Sequence, residues 1–94
     1  MAQPEKQRSS LRIYVDILNV VREEQRAKPT HILYRANLSH DRLVKYLEEL
    51  VQKGLVEEQS DGDSRFYTMT TKGVSFLIEI RKAESFVQGF GMSL

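Results

Sequence analysis

Between residues 39 and 46 the chain reads Ser-His-Asp-Arg-Leu-Val-Lys-Tyr. A hydroxyl, an imidazole, a guanidinium, an ammonium and a phenol thus fall within eight residues. These groups bind anions and hydrogen-bond planar heterocycles. Arg42 can give two parallel hydrogen bonds to guanine O6 and N7, and Lys45 can reach a base edge or a phosphate. Ser39, His40 and the free backbone amides of a helix that starts there can hold phosphate oxygens. Tyr46 either touches a phosphate or packs inward. Arg65, just after the acidic tip Asp61-Gly62-Asp63, either contacts a phosphate or pairs with Asp61 or Asp63.

Other chemistries lack their parts. The chain has no cysteine, which removes disulfides and thiolate metal sites. His31 and His40 are the only histidines and lack zinc-ligand spacing. Asp61 and Asp63 resemble the opening of a calcium loop, but Gly62 and the strand-like residues after it break that pattern. No glycine-rich phosphate loop occurs. Glu48-Glu49 and Glu57-Glu58 read as solvated faces, with the later acids of the helix lying away from phosphate. No nucleophile has a visible base. The expectation is a protein without metal, cofactor or small-molecule substrate, and not an enzyme.

Positioning residues 39–46 requires a helix with a defined start. Ser39 can cap it, Asp41 suits its first turn, and Gly54 after Lys53 can stop it. Leu43, Leu47, Leu50 and Val51 supply its inner face. Upstream, Ser9 or Ser10 caps a helix running to about Gln25, with Leu11, Tyr14, Ile17, Leu18 and Val21 at helical spacing and Ile13 and Val20 beside them. Lys28-Pro29-Thr30 ends that helix. Thr30 can cap a short second helix, His31 to Ala36, with Asn37 as a left-handed stop and Leu38 plugged inward. Downstream, residues 55–59 and 65–69 read as strands around the turn cluster 60–64. Thr70 or Thr71 then caps a last helix to about Gln88, with Gly89 after it. The four tyrosines read as interior or half-buried. The order helix, short helix, helix, hairpin, helix gives an α+β, mostly helical chain: a winged helix-turn-helix.

The 94 residues make one compact unit, read as an arm over 1–8, a DNA-binding domain over 9–70 and a C-terminal helix over 71–94. Charged residues are 29% of the chain and the formal net charge is only +1. The distribution is uneven. Residues 22–45 hold six cations against three anions, and residues 46–63 one cation against six anions. That asymmetry marks either an oriented electrostatic face or a merely solvated surface. No apolar run approaches a membrane span, and the polar start lacks the apolar core of a secretion signal. The expected location is the cytoplasm.

Four motifs occur in order: Thr30-His31-Ile32-Leu33-Tyr34-Arg35-Ala36-Asn37-Leu38-Ser39, Tyr46-Leu47-Glu48-Glu49-Leu50, Lys53-Gly54-Leu55-Val56 and Thr70-Thr71-Lys72-Gly73. Over roughly residues 11–77 the chain resembles the archaeal winged-helix family that includes a small, abundant Sulfolobus chromatin protein and related transcription regulators. The resemblance implies a winged-helix fold, double-stranded DNA binding through the third helix, and homodimers built by an antiparallel pair of C-terminal helices. In the chromatin-type members that last helix is long, whereas here it ends near Gly89. The positions carried over are the early face of the third helix and the wing: Ser39, His40, Arg42, Lys45, Tyr46 and Arg65.

The last helix has its own pattern. Phe76, Ile80, Ala83, Val87 and Phe90 are spaced as a heptad seam, while Val74, Leu77 and Ile78 lie on other sides and are expected to pack on the body. The seam either pairs two chains or folds into one core. The near-neutral charge and acidic wing leave a second reading beside DNA binding, a winged helix used as a protein-interaction module.

Overall fold

The computed structural model describes residues 8–94. The elements are α1 (Ser10–Glu24), α2 (Pro29–Arg35), α3 (His40–Gln52), β1 (Val56–Asp61), β2 (Ser64–Met69) and α4 (Thr71–Gln88). This is the expected winged helix-turn-helix order.

Ser9 caps α1 by accepting from the Arg12 amide. The buried face of α1 is Ile13, Val15, Ile17, Leu18, Val20 and Val21. The expected stripe is therefore rotated: Leu11 and Tyr14 are only half-buried, and Ile13 and Val20 belong to its centre. The rotation follows from packing against four elements, since α2, α3, α4 and β2 all touch α1.

Pro29 does not merely break α1; it occupies the first turn of α2, with Lys28 rather than Thr30 as the N-cap. Its fixed φ suits a first helical turn, where its missing N–H is not needed. Before it, Gln25 turns the chain in the left-handed region at φ 67°. Ala27 then pairs with Tyr67 through two backbone bonds of 2.9 Å. This single-residue bridge ties the wing to the α1–α2 connection, and nothing in the local sequence marks it. The turn between α2 and α3 holds Asn37 at φ 56°. The amides of Asn37 and Leu38 donate back to Tyr34 and Leu33 at 3.3 and 3.0 Å, a Schellman closure that buries Leu38.

Ser39 caps α3 by accepting from the Arg42 amide at 3.3 Å. Leu43, Tyr46, Leu47 and Leu50 are its buried residues, and Val51, expected inside, is 38% exposed. The stripe is set one position back because Tyr46 takes the inner place, edge-on to Tyr14 at 5.9 Å. Tyr34 departs from the expected burial of tyrosines and stands 78% exposed.

The hairpin is longer and tighter than the sequence suggests. Asp61 and Ser64 pair directly, leaving only Gly62 and Asp63 as the loop. Positive φ falls on Gly62 alone of these two, the pattern of a type II′ turn. Thr70 caps α4 by accepting from the Gly73 amide at 2.9 Å, and its hydroxyl donates to the Gly54 carbonyl at 2.6 Å. Gly73 is pressed on Leu55 so closely that a Cβ there would sit 2.1 Å from the Leu55 carbonyl oxygen. The Thr-x-x-Gly motif thus docks the last helix onto the base of the wing. Gly73 and Leu77 are buried, so the first half of α4 is part of the same body as α1 to β2.

Arg8, counted with the loose arm, is held. Its guanidinium donates to Asp16 Oδ2, to the Ala36 carbonyl and to the Asn37 carbonyl, each at 2.8 Å. A cation thereby satisfies carbonyls at the end of α2, where the helix dipole favours it. The rest of the arm, residues 1–7, lies outside the described residues.

Candidate nucleic-acid interface

Helix α3 presents its residues on distinct sides. Opposite the buried stripe, Asp41, Lys45, Glu48 and Gln52 are exposed along one ridge, with His40, Val44 and Val51 on the flank nearer the wing. Ser39 and His40 stand at the exposed start. The Ser39 oxygen already accepts from the Arg42 amide, which leaves its hydroxyl proton free to donate. The His40 side chain is 79% exposed and lies 4.0 Å from Asp41.

Arg42 and Lys45 are not covered: Lys45 is exposed and Arg42 half-buried. Both lean on the Tyr46 ring, at 5.9 and 5.1 Å from its centre. Tyr46 itself is only 6% exposed, so it belongs to the core rather than to the ridge. The Ser10 hydroxyl, followed by Arg42 and Lys45, pulls its phenol below the usual range. Tyr46 is a floor under two cations, which aligns them without reaching outward itself.

The structure changes the meaning of the uneven charge. Arg22 pairs with Glu23 at 3.6 Å, and Arg26 with Asp61 at 3.3 Å. Arg35 bridges Glu23 and Glu24, the latter at 3.3 Å, while His31 meets Glu24 at 2.9 Å. Hydrogen bonds from Arg35 hold Glu23 below the ordinary carboxylate range, and those from His31 and then Arg35 do the same for Glu24. Of the six cations in residues 22–45, only Lys28, Arg42 and Lys45 have no ion-pair partner among the described residues. Lys28 precedes α2; Arg42 and Lys45 lie on α3.

Arg65 reaches across the hairpin to Glu58 at 3.4 Å, not to Asp61 or Asp63. The register explains the choice: Ser60 faces Arg65 and Glu58 faces Tyr67, so Glu58 is the diagonal neighbour on the same face. Arg65 and Glu58 line a groove of about 610 Å³ between the wing, the start of α2 and α3. Leu33, Leu43 and Leu47 lie along its apolar wall. Glu48 lies in it as well, against the expectation that the later acids of α3 turn away. Its neighbour Glu49 does turn away, and accepts from the Tyr14 hydroxyl at 2.5 Å. That bond pushes the Tyr14 pKa up to about 12.

The expected seam on α4 is divided. Phe76 and Ile80 are half-buried against the core, whereas Ala83 is exposed, Val87 half-buried and Phe90 70% exposed. Val74 and Ile78, expected to pack on the body, are 41% and 48% exposed. The reason is the Gly73–Leu55 contact, which fixes how α4 is rotated. Beyond Glu84, which pairs with Arg12, the helix carries an exposed apolar end. Phe86 and Phe90 stack edge to face at 5.4 Å, and Met92 and Leu94 are exposed nearby in sequence.

Among the described residues no group of three His, Asp or Glu side chains is placed to hold a metal ion. No helix there is long and apolar enough to cross a membrane.

The two-helix turn, the hairpin and the docking helix define a winged helix-turn-helix protein. The winged helix-turn-helix family model matches residues 7–88, nearly the whole chain, and the protein belongs to that family. Among solved structures it is similar to Sso10a-2, a DNA-binding protein from Sulfolobus solfataricus. The identity is 25% over 88% of this chain and 85% of that one, with a TM-score of 0.78. It also shares its fold with the oxidised form of MarR from E. coli (18% identity, 81% of this chain and 54% of that one, TM-score 0.68). A third match is the transcriptional regulator BldR from Sulfolobus solfataricus (21%, 71% and 50%, TM-score 0.64). The chain spans about half the length of the last two. No curated protein sequence matches it.

Proposed function

We propose that the protein binds double-stranded DNA through α3 and the wing, as a homodimer joined at the C-terminal end of α4. The observation that carries this reading is the placement of the unpaired cations. The other three cations of residues 22–45 pair with carboxylates, whereas Lys28, Arg42 and Lys45, around the helix-turn-helix, have no ion-pair partner among the described residues. Ser39 and His40 add donors at the start of α3, and Arg65 lies on the wing side of the groove. Sso10a-2, a DNA-binding protein, has the same fold across most of both chains, which supports the reading. No described constellation pairs a nucleophile with a base, so the role proposed is binding rather than catalysis. Such a role would be carried out in the cytoplasm.

The homodimer rests on Phe86 and Phe90, with Ala83 and Val87 beside them. Two aromatic rings about 70% exposed at one end of a helix favour a covering surface. Phe76 and Ile80 contribute less to such a seam, being half engaged with their own core.

The test is fluorescence anisotropy with a labelled random duplex at two salt concentrations, beside a measurement of molar mass in solution. Affinity should fall steeply with salt as counterions are released. Replacing Arg42 and Lys45 together by Ala removes two cations from each protomer and should reduce the slope of log K against log salt by roughly 4 for the dimer without unfolding the domain. Phe86→Ser combined with Phe90→Ser should halve the mass. Absence of binding at low salt overturns the DNA reading and leaves the second one, a protein-interaction module, which the apolar groove beside the wing favours. A monomeric wild-type chain overturns the dimer.

A further inference from the structure

The outward ridge of α3 is poorly suited to holding duplex DNA of any sequence. Asp41, Lys45, Glu48 and Gln52 are all exposed, and only one of the four is a cation. A surface that binds every duplex alike does so through phosphates and is built from Lys and Arg. A carboxylate there opposes the phosphate field. It is tolerated at a duplex surface only where it gains something the phosphates cannot give.

Glu48 is exposed. It makes no ion pair or side-chain hydrogen bond among the described residues. The next residue, Glu49, is spent on Tyr14. Three residues apart, Lys45 and Glu48 lie one turn from each other on the ridge, with Val44 four residues before Glu48. Both Val44 and Glu48 line the groove toward the wing. In the major groove a carboxylate accepts from the cytosine N4 amino group, and an apolar side chain meets the thymine methyl. Lys28 precedes α2, Arg42 is half-buried on α3 and Arg65 is on the wing, so three cations that can position the backbone stand outside the ridge, and Lys45 alone stands in it. Positioning and reading are thereby assigned to different residues.

We infer that the protein discriminates between duplex sequences, with Glu48 selecting a cytosine and Val44 a thymine on the pairs that α3 faces. This rests on the duplex-binding reading above. Glu48 has a second effect: its charge lowers affinity for all other sequences, which widens the discrimination.

The experiment is selection of bound duplexes from a randomised pool by the full chain, followed by affinities for the selected and random duplexes. Wild-type protein should return a consensus with an invariant cytosine and prefer it to random duplex. Glu48→Ala and Glu48→Gln should each lose that cytosine preference by roughly 5- to 150-fold and bind random duplex more tightly than wild type. Val44→Ala should relax a thymine position only. Because both side chains are exposed, thermal unfolding of each variant should match wild type to within a few degrees. Binding without any consensus, or a consensus unchanged in Glu48→Ala, overturns the inference while the duplex reading stands. Failure to bind any duplex at low salt overturns both.

Discussion

Replacing Gly73 by Ala in the middle of the first turns of α4 should destabilise the protein, although the same exchange in an exposed helix is favourable by up to about 1 kcal/mol. The added methyl would lie 2.1 Å from the Leu55 carbonyl oxygen, 3.1 Å from its carbon and 3.3 Å from Met69 Cε. Backbone on both sides cannot rotate away, so α4 must withdraw by on the order of 1 Å to reach an ordinary contact. That displacement pulls on the two bonds that dock the helix, from the Thr70 hydroxyl to Gly54 at 2.6 Å and from the Thr70 amide to Leu55 at 3.3 Å. Each is worth about 1 kcal/mol, and overpacking adds roughly 1–3 kcal/mol. After subtracting the helix-propensity gain, the net loss is about 2–4 kcal/mol. Urea unfolding should show a lower midpoint, and thermal unfolding a fall of very roughly 8–30 °C for a domain of this size. Ser75→Ala, exposed on the same helix, should instead be neutral or stabilising by a few tenths of a kcal/mol. A Gly73→Ala variant as stable as wild type would refute the claim that this contact sets the rotation of α4.

Three further outcomes follow from the same geometry. The Tyr14–Glu49 bond raises the Tyr14 pKa to about 12, so its contribution is intact below the unfolded value of about 10 and is lost as the pH climbs from there. The stability difference between wild type and Glu49→Gln should therefore shrink between about pH 10 and 12 in urea unfolding followed by circular dichroism. A constant difference would contradict this. Glu23 and Glu24 are lowered from 4.5, chiefly by hydrogen bonds from Arg35 and His31 respectively, so their clamp between α1 and α2 is present above that pH and lost as it falls. Arg35→Gln should flatten the acid limb of the stability profile, and an unchanged limb would count against it. Arg8→Ala removes a charged donor from two carbonyls and Asp16, and should cost about 2 kcal/mol by urea unfolding. Arg8→Lys should recover only part, because an ammonium lacks the planar fork that spans these acceptors; full recovery would refute the geometric argument.

The element order was legible in the sequence because it depends on local chemistry. Ser39 and Thr70 cap helices through their own side chains. Asn37 and Gly54 adopt the left-handed conformation at φ 56° and 75°, and Leu43, Leu47 and Leu50 are buried at the spacing the sequence shows. Pro29 is legible only in part: proline ends one helix and starts another, and only the backbone path before it decides which role dominates. Lys45 and His40 emerged exposed as their positions in a capped helix suggested.

What the sequence alone could not fix were quantities set by residues far apart in the chain. Whether a cation is free depends on which carboxylate folds beside it, and Arg35 and Arg26 pair with Glu23, Glu24 and Asp61 only once α1, α2 and the wing are assembled. Tyr46 and Val51 exchange the places that periodicity gave them because Tyr14, thirty-two residues upstream of Tyr46, supplies a ring to pack against. The rotation of α4, and with it which of Phe76 and Val74 faces outward, is decided by the close contact of Gly73 with Leu55, where a Cβ would come within 2.1 Å of the carbonyl oxygen. Local sequence specifies backbone conformation through torsions and caps; burial and pairing are properties of the surfaces those elements bring together, and they exist only after the elements have docked.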